Sequence, residues 1–204
     1  MLEFLTQNPI VFLLWAISLI IAVTIHEFAH AFVADRLGDP TPKAHGRLTL
    51  NPLSHMDPLG TLALLVANIG WGKPVPVDSY NFANPRRDIL LVSLAGPGSN
   101  IILAILMALL IRFFPVTAIL GIPLVILNIG LAIFNLIPIP PLDGSKILPG
   151  LLPKQQAMEW EQFIERIGLF GLLLFILPIF GGQSLIGIVI SPIISAIARI
   201  LIPS

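Results

Sequence analysis

Three long apolar stretches constrain the fold of this chain more than any other feature. They cover residues 9–35, 89–111 and 116–139. A helix needs about 20 apolar residues to cross the hydrocarbon layer, so each stretch is long enough to span a membrane. Because only 11% of the 204 residues are charged, a soluble fold of this length would lack the polar surface to cover itself. The sequence therefore predicts an all-α multi-pass membrane protein.

Three shorter apolar segments extend this prediction. Residues 167–180 and 185–202 are shorter than the first three stretches, but local thinning of the bilayer can accommodate them as spans. Residues 59–70 are too few to cross and predict a partial or re-entrant insertion. We therefore expect about five transmembrane helices and one partial segment.

The basic residues predict the orientation in the membrane. If five spans are drawn as above, all the lysines and arginines except Arg112 fall on one side. The positive-inside rule makes that side cytoplasmic and places the N-terminus outside. Since the chain has no cysteine and no recognisable targeting leader, we expect the plasma membrane of a prokaryotic cell.

The connection between the first two spans predicts a small β-sheet on the cytoplasmic side. Residues 47–50 and 75–77 alternate polar and apolar side chains, which is typical of short strands. Pro74 and Pro76 cannot occupy a central strand, so the sheet would have an exposed edge. An irregular loop is the alternative. Farther along, residues 154–166 predict an interfacial helix.

Charge and cysteine content exclude several classes of function. The formal net charge is zero, so the chain lacks the basic surface with which proteins bind nucleic acid. The absence of cysteine excludes disulfides, thiol catalysis and cysteine-ligated zinc. Any metal ion must therefore be held by histidine, aspartate or glutamate.

Three ionisable residues, His26, Glu27 and His30, lie within the first apolar stretch. A carboxylate near the centre of a bilayer costs at least about 2.5 kcal/mol, which indicates a function. Residues four positions apart share one face of a helix, so two imidazoles can bind one metal ion with the carboxylate beside them. The pattern predicts a metal site. The structural alternative is a hydrogen-bonded polar cluster between helices.

A catalytic zinc site uses three protein ligands, and the sequence offers two sources for the third. Asp143 follows the prolines 138, 140 and 141 at the end of the third stretch, where they stop the helix and let the chain turn. Irregular backbone at membrane depth needs protein or a wet cavity around it, which places Asp143 in the same leaflet as the histidines. The other candidates lie in the interfacial segment: Glu159, Glu161 and Glu165.

At these motifs the sequence resembles the site-2 protease family of intramembrane zinc metalloproteases, peptidase family M50. The matching segments are HEFAH at 26–30, AGPGSN at 95–100 and the Asn-to-Asp-Gly segment at 135–144. Residues 46–53 and 72–77 also look like the small branch of that family. The resemblance covers about residues 20–150.

The resemblance implies one Zn²⁺ per chain on His26, His30 and Asp143, with Glu27 as the general base. The implied reaction is hydrolysis of a peptide bond in or near the transmembrane segment of a single-pass membrane protein. Asn135 would lie near the reacting peptide and could bind the substrate backbone or an oxyanion. Asn100 is a further candidate for that role, although its spacing from Gly96 favours helix packing. The exposed sheet edge would hold the extended substrate by β-augmentation.

The length of the chain predicts a single membrane-embedded domain over residues 1–204, with a core at 9–145 and C-terminal helices at 167–202. No PDZ-like or CBS-like domain fits beside five spans, so substrate choice would come from the core or from partners. The expected partners are the lipid bilayer, the substrate, and a regulatory membrane protein or a second copy of the chain. We assign no role to His45 and His55, which are interpreted as surface or turn residues.

One alternative from another functional class remains open on these residues. A membrane protein that binds or carries a divalent metal ion would also need His26, His30 and Asp143, but it would need no base. Its activity would therefore be indifferent to substitution of Glu27.

Overall fold

The computed structural model describes residues 8–67, 70–177 and 184–202, and helices account for most of them. The helices are α1 (Pro9–Arg36), α2 (Thr41–Ala44), α3 (Pro58–Ala67), α4 (Pro85–Phe113), α5 (Ala118–Asn135), α6 (Gly144–Leu151), α7 (Lys154–Ile176) and α8 (Leu185–Leu201). Short 3-10 turns occur at Pro52–Ser54, Ser79–Asn81 and Pro115–Thr117.

Three helices in the described part of the chain are long and apolar enough to cross a membrane. They are α1, α4, and α5 together with the turn before it. Helices α1 and α4 each begin with a proline, whose missing N–H needs no partner there. The side chains of Asn8 and Asn84 cap these two helices by accepting hydrogen bonds from the backbone N–H groups of Val11 and Arg87. The first three predicted spans are therefore helices of membrane length.

The predicted count of five spans is not supported. The predicted interfacial segment, 154–166, and the fourth predicted span, 167–180, form one helix, α7, which kinks at Gly168. Because Gly168 has a φ of 50°, a conformation open to glycine, the two halves join without a loop. The amino-terminal half of α7 is polar, so the apolar half alone is short. Residues 178–180 lie outside the described residues. The fifth predicted span corresponds to α8, which is apolar but has 17 residues.

The apolar segment at residues 59–70 corresponds to a short helix, α3. Its 10 residues extend about 15 Å at 1.5 Å per residue, which is half the thickness of the hydrocarbon layer. Residues 68–69 of the predicted partial segment lie outside the described residues. The length of α3 agrees with the expectation that this segment cannot cross the membrane.

The prediction of a small β-sheet is wrong for the residues that the structure describes. Residues 47–50 and 75–77 are irregular, and the pairing found is an isolated bridge between Met56 and Gly72. The guanidinium of Arg47 donates hydrogen bonds to the carbonyl groups of Lys73 and Pro74. A buried side chain therefore occupies carbonyl groups that a neighbouring strand would have used.

Helices α1, α4 and α5 pack against one another and form the core of the described structure. Small residues lie at these contacts, including the fully buried Ala22 and Ala31 of α1 and Ala104 of α4. Small side chains let membrane helices approach closely, and van der Waals contact then stabilises the bundle. Helix α8 packs on α5, and α7 packs on α6. This arrangement places the middle of α1 against α4, where the candidate site lies.

Candidate active site

The side chains of His26, His30 and Asp143 converge at one point. The Nε2 atoms of the two histidines are 3.1 Å apart, and each lies 3.2 Å from Oδ2 of Asp143. Both histidines are buried on α1, one helical turn apart, as their spacing predicts. Asp143 directly precedes α6, so the chain turns back after α5 to bring this carboxylate to the histidines. These three residues form a group that could hold a metal ion.

The second ring nitrogen of each histidine is fixed by a contact with α4. Nδ1 of His30 lies 2.7 Å from the backbone carbonyl oxygen of Val92. A carbonyl oxygen only accepts hydrogen bonds, so Nδ1 carries the proton and Nε2 keeps its lone pair. Nδ1 of His26 lies 2.6 Å from Oδ1 of Asn100. Such contacts behind a histidine fix its orientation for metal binding.

The donor set fits a zinc ion. Two imidazole lone pairs and a carboxylate oxygen meet here, and Oδ2 of Asp143 is buried without a hydrogen-bond donor. These electron-rich atoms repel one another unless a proton or a metal ion lies among them. A proton can be shared by two of these three atoms, whereas a metal ion can bind all three. Their separations of 3.1 and 3.2 Å lie just below the edge of about 3.3–3.6 Å in a tetrahedron with ligands at about 2.0–2.2 Å from zinc.

Gly96 lets the backbone of α4 pass directly beside the imidazoles. A Cβ atom at this position would lie 2.3 Å from Nε2 of His30 and 2.6 Å from Cε1 of His26. No side chain larger than a hydrogen atom fits without moving a candidate metal ligand. Gly96 therefore belongs to the construction of the site as well as to helix packing.

The three converging residues lie in the wall of a cavity of about 550 Å³. The cavity follows α1 from Phe12 to His30, a length of about 27 Å at 1.5 Å per residue. Glu27 lines the cavity and is half-buried beside the histidines. The opposite wall includes Gly72, where an added Cβ would lie 3.7 Å from Oε1 of Glu27. The predicted base and the predicted ligands thus face the same space.

The two asparagines that the sequence suggested for substrate binding lie in different places. Asn135 ends α5 and lines the cavity, and its Nδ2 donates a hydrogen bond to the carbonyl oxygen of Leu131. Asn100 is fully buried behind His26 and is not among the described residues that line this cavity. The position of Asn135 agrees with a role near the substrate. The contacts of Asn100 indicate that it orients His26.

The alternative third ligands do not join the histidines. Within the described residues, the group that converges with His26 and His30 contains Asp143. Glu161 and Glu165 instead line a second cavity, of about 640 Å³. Asp143 is therefore the candidate third ligand that the structure brings to the two histidines.

His55, to which the sequence analysis assigned no role, is fully buried and lines the cavity. Its Nε2 lies 2.8 Å from the carbonyl oxygen of Thr49 and donates a hydrogen bond to it. His55 lies in a turn, as one of its two interpretations expected, but it is not a surface residue, because its side chain reaches an irregular loop that local sequence patterns do not reveal. His45 is exposed, as expected.

The sequence analysis also passed over Asn128, a fully buried residue of α5 that contacts Asn100. The sequence contained a signal for this contact, since an asparagine in the middle of an apolar span commonly forms a hydrogen bond to another helix.

Comparisons with known proteins find a peptidase family and zinc metalloproteases among the relatives of this chain. The sequence profile of peptidase family M50 matches residues 116–178. YwhC of Bacillus subtilis (strain 168), named as a candidate zinc metalloprotease, is 40% identical over 182 residues, which cover 80% of each chain. Rip2 of Mycobacterium tuberculosis strain Erdman, named in the same way, is 37% identical over 84% of this chain and 70% of its own. The zinc metalloprotease MJ0392 of Methanocaldococcus jannaschii is 30% identical over 73% of this chain and 37% of its own.

No solved structure matches the chain. A helical fold with membrane-length helices and a His-His-Asp group define the class of membrane-embedded metalloproteins. Together with its relatives, they show that the chain belongs to peptidase family M50, the site-2 protease family.

Proposed function

We propose that this protein is an intramembrane zinc metalloprotease that hydrolyses a peptide bond in or near the transmembrane segment of a membrane-anchored substrate. The observation that carries this proposal is the convergence of His26, His30 and Asp143 in a cavity that follows a membrane-length helix. The names of the relatives support zinc as the metal and proteolysis as the reaction.

In this proposal His26, His30 and Asp143 hold one zinc ion through two imidazole nitrogens and a carboxylate oxygen. When bound, zinc supplies Lewis acidity, which polarises a peptide carbonyl and lowers the pKa of water toward 7. Three protein ligands leave a position open for water or substrate, as a catalytic site requires.

Glu27 is the proposed general base. Its carboxylate accepts a proton from the attacking water, and the water oxygen forms a bond to the carbonyl carbon of the substrate. The same carboxylate then delivers the proton to the amide nitrogen as the carbon–nitrogen bond breaks. In this proposal Asn135, which lines the cavity at the end of α5, donates a hydrogen bond to the substrate backbone or to a developing oxyanion.

The substrate must be locally extended, because the carbonyl groups of a helix are already hydrogen-bonded. The cavity follows α1 for about 27 Å, close to the thickness of the hydrocarbon layer, and most of its lining on this helix is apolar. Without a strand at 47–50 or 75–77, β-augmentation on a sheet edge loses its basis in the described residues. The irregular segment 70–77, much of which lines the cavity, supplies backbone groups for an extended peptide instead.

We further propose that the N-terminus lies outside the plasma membrane of a prokaryotic cell and that the site opens toward the cytoplasm. Three spans are enough for this orientation: the connection between α1 and α4 and the helix ends beside it carry six of the 11 basic residues, and Arg112 lies at the opposite end of α4. The proposed partners are a single-pass membrane protein as substrate, and a regulatory membrane protein or a second copy of the chain.

Substitution Glu27→Gln tests the proposed function. We expect cleavage of a transmembrane substrate in detergent to fall to background while bound zinc stays at one ion per chain, because Glu27 transfers protons and binds no metal. Co-expression with candidate membrane-anchored regulators would supply the substrate for the same comparison. Cleavage equal to that of the wild type would contradict the proposal and favour a protein that only binds or carries the metal.

A further inference from the structure

A line of buried amide groups leads away from His26 on the side opposite Asp143. It consists of Asn100 on α4 and Asn128 on α5, and both side chains are fully buried. Asparagines between membrane helices commonly hydrogen-bond one helix to another. The directions of these particular hydrogen bonds add a consequence for the metal site.

The direction of each bond follows from the far end of the line. Nδ2 of Asn128 donates to the carbonyl oxygen of Leu124 at 2.8 Å, and a carbonyl cannot donate in return. The Oδ1 atom of Asn128 therefore faces Asn100 and accepts from its Nδ2 at 2.7 Å. The second hydrogen of that Nδ2 is donated to the carbonyl oxygen of Ala22 at 3.1 Å. With both amide hydrogens engaged, Asn100 presents Oδ1 to His26.

This orientation fixes the tautomer of His26. Because an amide oxygen only accepts, Nδ1 of His26 must carry the proton, and Nε2 keeps its lone pair toward Asp143. If Asn100 turned over, its NH₂ group would face Nδ1 and favour the tautomer that carries a proton on Nε2. That proton would occupy the direction in which a metal ion binds.

His30 has no such dependence, since its Nδ1 donates to a backbone carbonyl of α4 that cannot turn over. His26 is thus the predicted ligand whose tautomer depends on two other side chains. Helix α5 carries Asn128 and also leads into the segment that ends at Asp143, so this helix affects two of the three ligands.

We propose that Asn128 is a positioning residue for metal binding, which acts through Asn100 to keep the metal-binding tautomer of His26. This inference rests on the proposed zinc site, and it adds a residue of α5 that touches neither metal nor substrate. Partners behind a metal-ligating histidine typically change metal affinity by about 10- to 100-fold when they are removed.

The first measurement uses the full-length wild type in detergent, metal-free and labelled with ¹⁵N at histidine. We expect the spectrum of His26 to show a proton on Nδ1, and a His26 without a proton on Nδ1 would overturn the proposal without any variant. The same spectrum of Asn128→Leu should show a mixture of the two tautomers. His30 serves as the internal reference and should keep its proton on Nδ1 in both proteins.

The second measurement is zinc affinity by competition with a chelator. Asn128→Leu removes the acceptor while it keeps the number and branching of the side-chain heavy atoms, and we expect its zinc affinity to fall by about 10- to 100-fold. Ser18→Ala is the matched control, because Ser18 is a buried polar residue of α1 that bonds to its own helix. Unchanged affinity and an unchanged His26 spectrum in folded Asn128→Leu would overturn the proposal.

A double substitution separates positioning from helix packing. Asn100→Asp places a carboxylate beside His26, and a carboxylate accepts at either oxygen, so it offers Nδ1 of His26 an acceptor in both orientations. We therefore expect Asn128→Leu to cost little affinity when it is combined with Asn100→Asp. Equal losses in both backgrounds would show that Asn128 acts only through packing and would overturn the proposal. Absence of zinc from the wild type would contradict the proposed function, whereas the metal-free tautomer would still test the line of amides.

Discussion

The helices α1, α4 and α5 and the connection at residues 37–84 form facing walls of one cavity, yet different forces hold them. The helices satisfy their backbone groups internally and meet through small buried residues. The connection is held by single side chains that reach backbone groups, such as Arg47 and His55. Two of the three predicted metal ligands, His26 and His30, therefore lie on the helical wall, and Asp143 lies on the segment that follows α5. We expect the helical wall to be the rigid one and the connection to form the adjustable one. Substitutions should therefore affect zinc on the first wall and substrate handling on the second.

The largest effect is expected at Asp143, which completes the three-residue group. Asp143→Asn removes the charged ligand, so zinc content and cleavage should both fall by more than about 100-fold. Metal analysis of the purified protein checks this, with Glu161→Gln as the control because that side chain lines the second cavity. Loss of zinc in the glutamate variant alone would remove Asp143 from the site.

The next effect is expected at Gly96, where α4 touches the imidazoles. Gly96→Ala adds a methyl group 2.3 Å from Nε2 of His30, so we expect zinc affinity to fall by about 10- to 100-fold. Gly98→Ala is the matched control on the same helix, since nothing lies within 4 Å of its added methyl group. Chelator competition measures the zinc affinity of both variants, and a loss in Gly96→Ala alone would support a zinc site on the helical wall. Equal affinities would show that the imidazoles can move aside, and this wall would then be less rigid than proposed.

The same division of forces explains what the sequence could predict. The length of the apolar stretches predicted α1, α4 and α5. The spacing of four residues between His26 and His30 predicted that they share one face of a helix. A run of prolines pointed to the turn that carries Asp143 to them. The roles of these residues in metal binding and catalysis stay predictions.

Contacts between distant segments escaped the sequence analysis. The guanidinium of Arg47 replaces the predicted strand pairing, and the burial of His55 depends on Thr49 in an irregular loop. Likewise, the partner of Asn100 lies on another helix, 28 residues away. Alternation of polar and apolar residues indicates that one face of a strand is buried. It does not indicate which backbone group a long side chain such as that of Arg47 will contact.

A smaller effect is expected at Arg47, and its nature tests the adjustable wall. Arg47 is 3% exposed and bonds to the carbonyl groups of Lys73 and Pro74, beside Gly72 and Glu27. Losing a buried hydrogen bond from a charged group costs about 1.5–3 kcal/mol, equivalent to about 10- to 100-fold. We expect Arg47→Gln to lower kcat/KM for a transmembrane substrate by about tenfold while zinc affinity is retained. Lys43→Gln, at an exposed position, is the control. A matching loss of zinc would break the division between the two walls.

The smallest effect concerns pH and Asp39, which joins the two ends of the connection. Burial alone would raise the pKa of Asp39, but hydrogen bonds from Thr41, Asp78 and Asn81 outweigh it and hold the pKa below its usual value. Because the folded pKa is depressed, this stabilisation is complete above the unfolded pKa of about 3.9 and is lost as pH falls through the folded value. The protection of the Thr41 and Asp78 amides against hydrogen exchange, relative to their intrinsic rates, should therefore fall in acid, and Asp39→Asn should show low protection already at neutral pH. Slow exchange in that variant would mean that packing, rather than the carboxylate of Asp39, holds the two ends of the connection together. The connection would then be stabilised by packing, as the helices are.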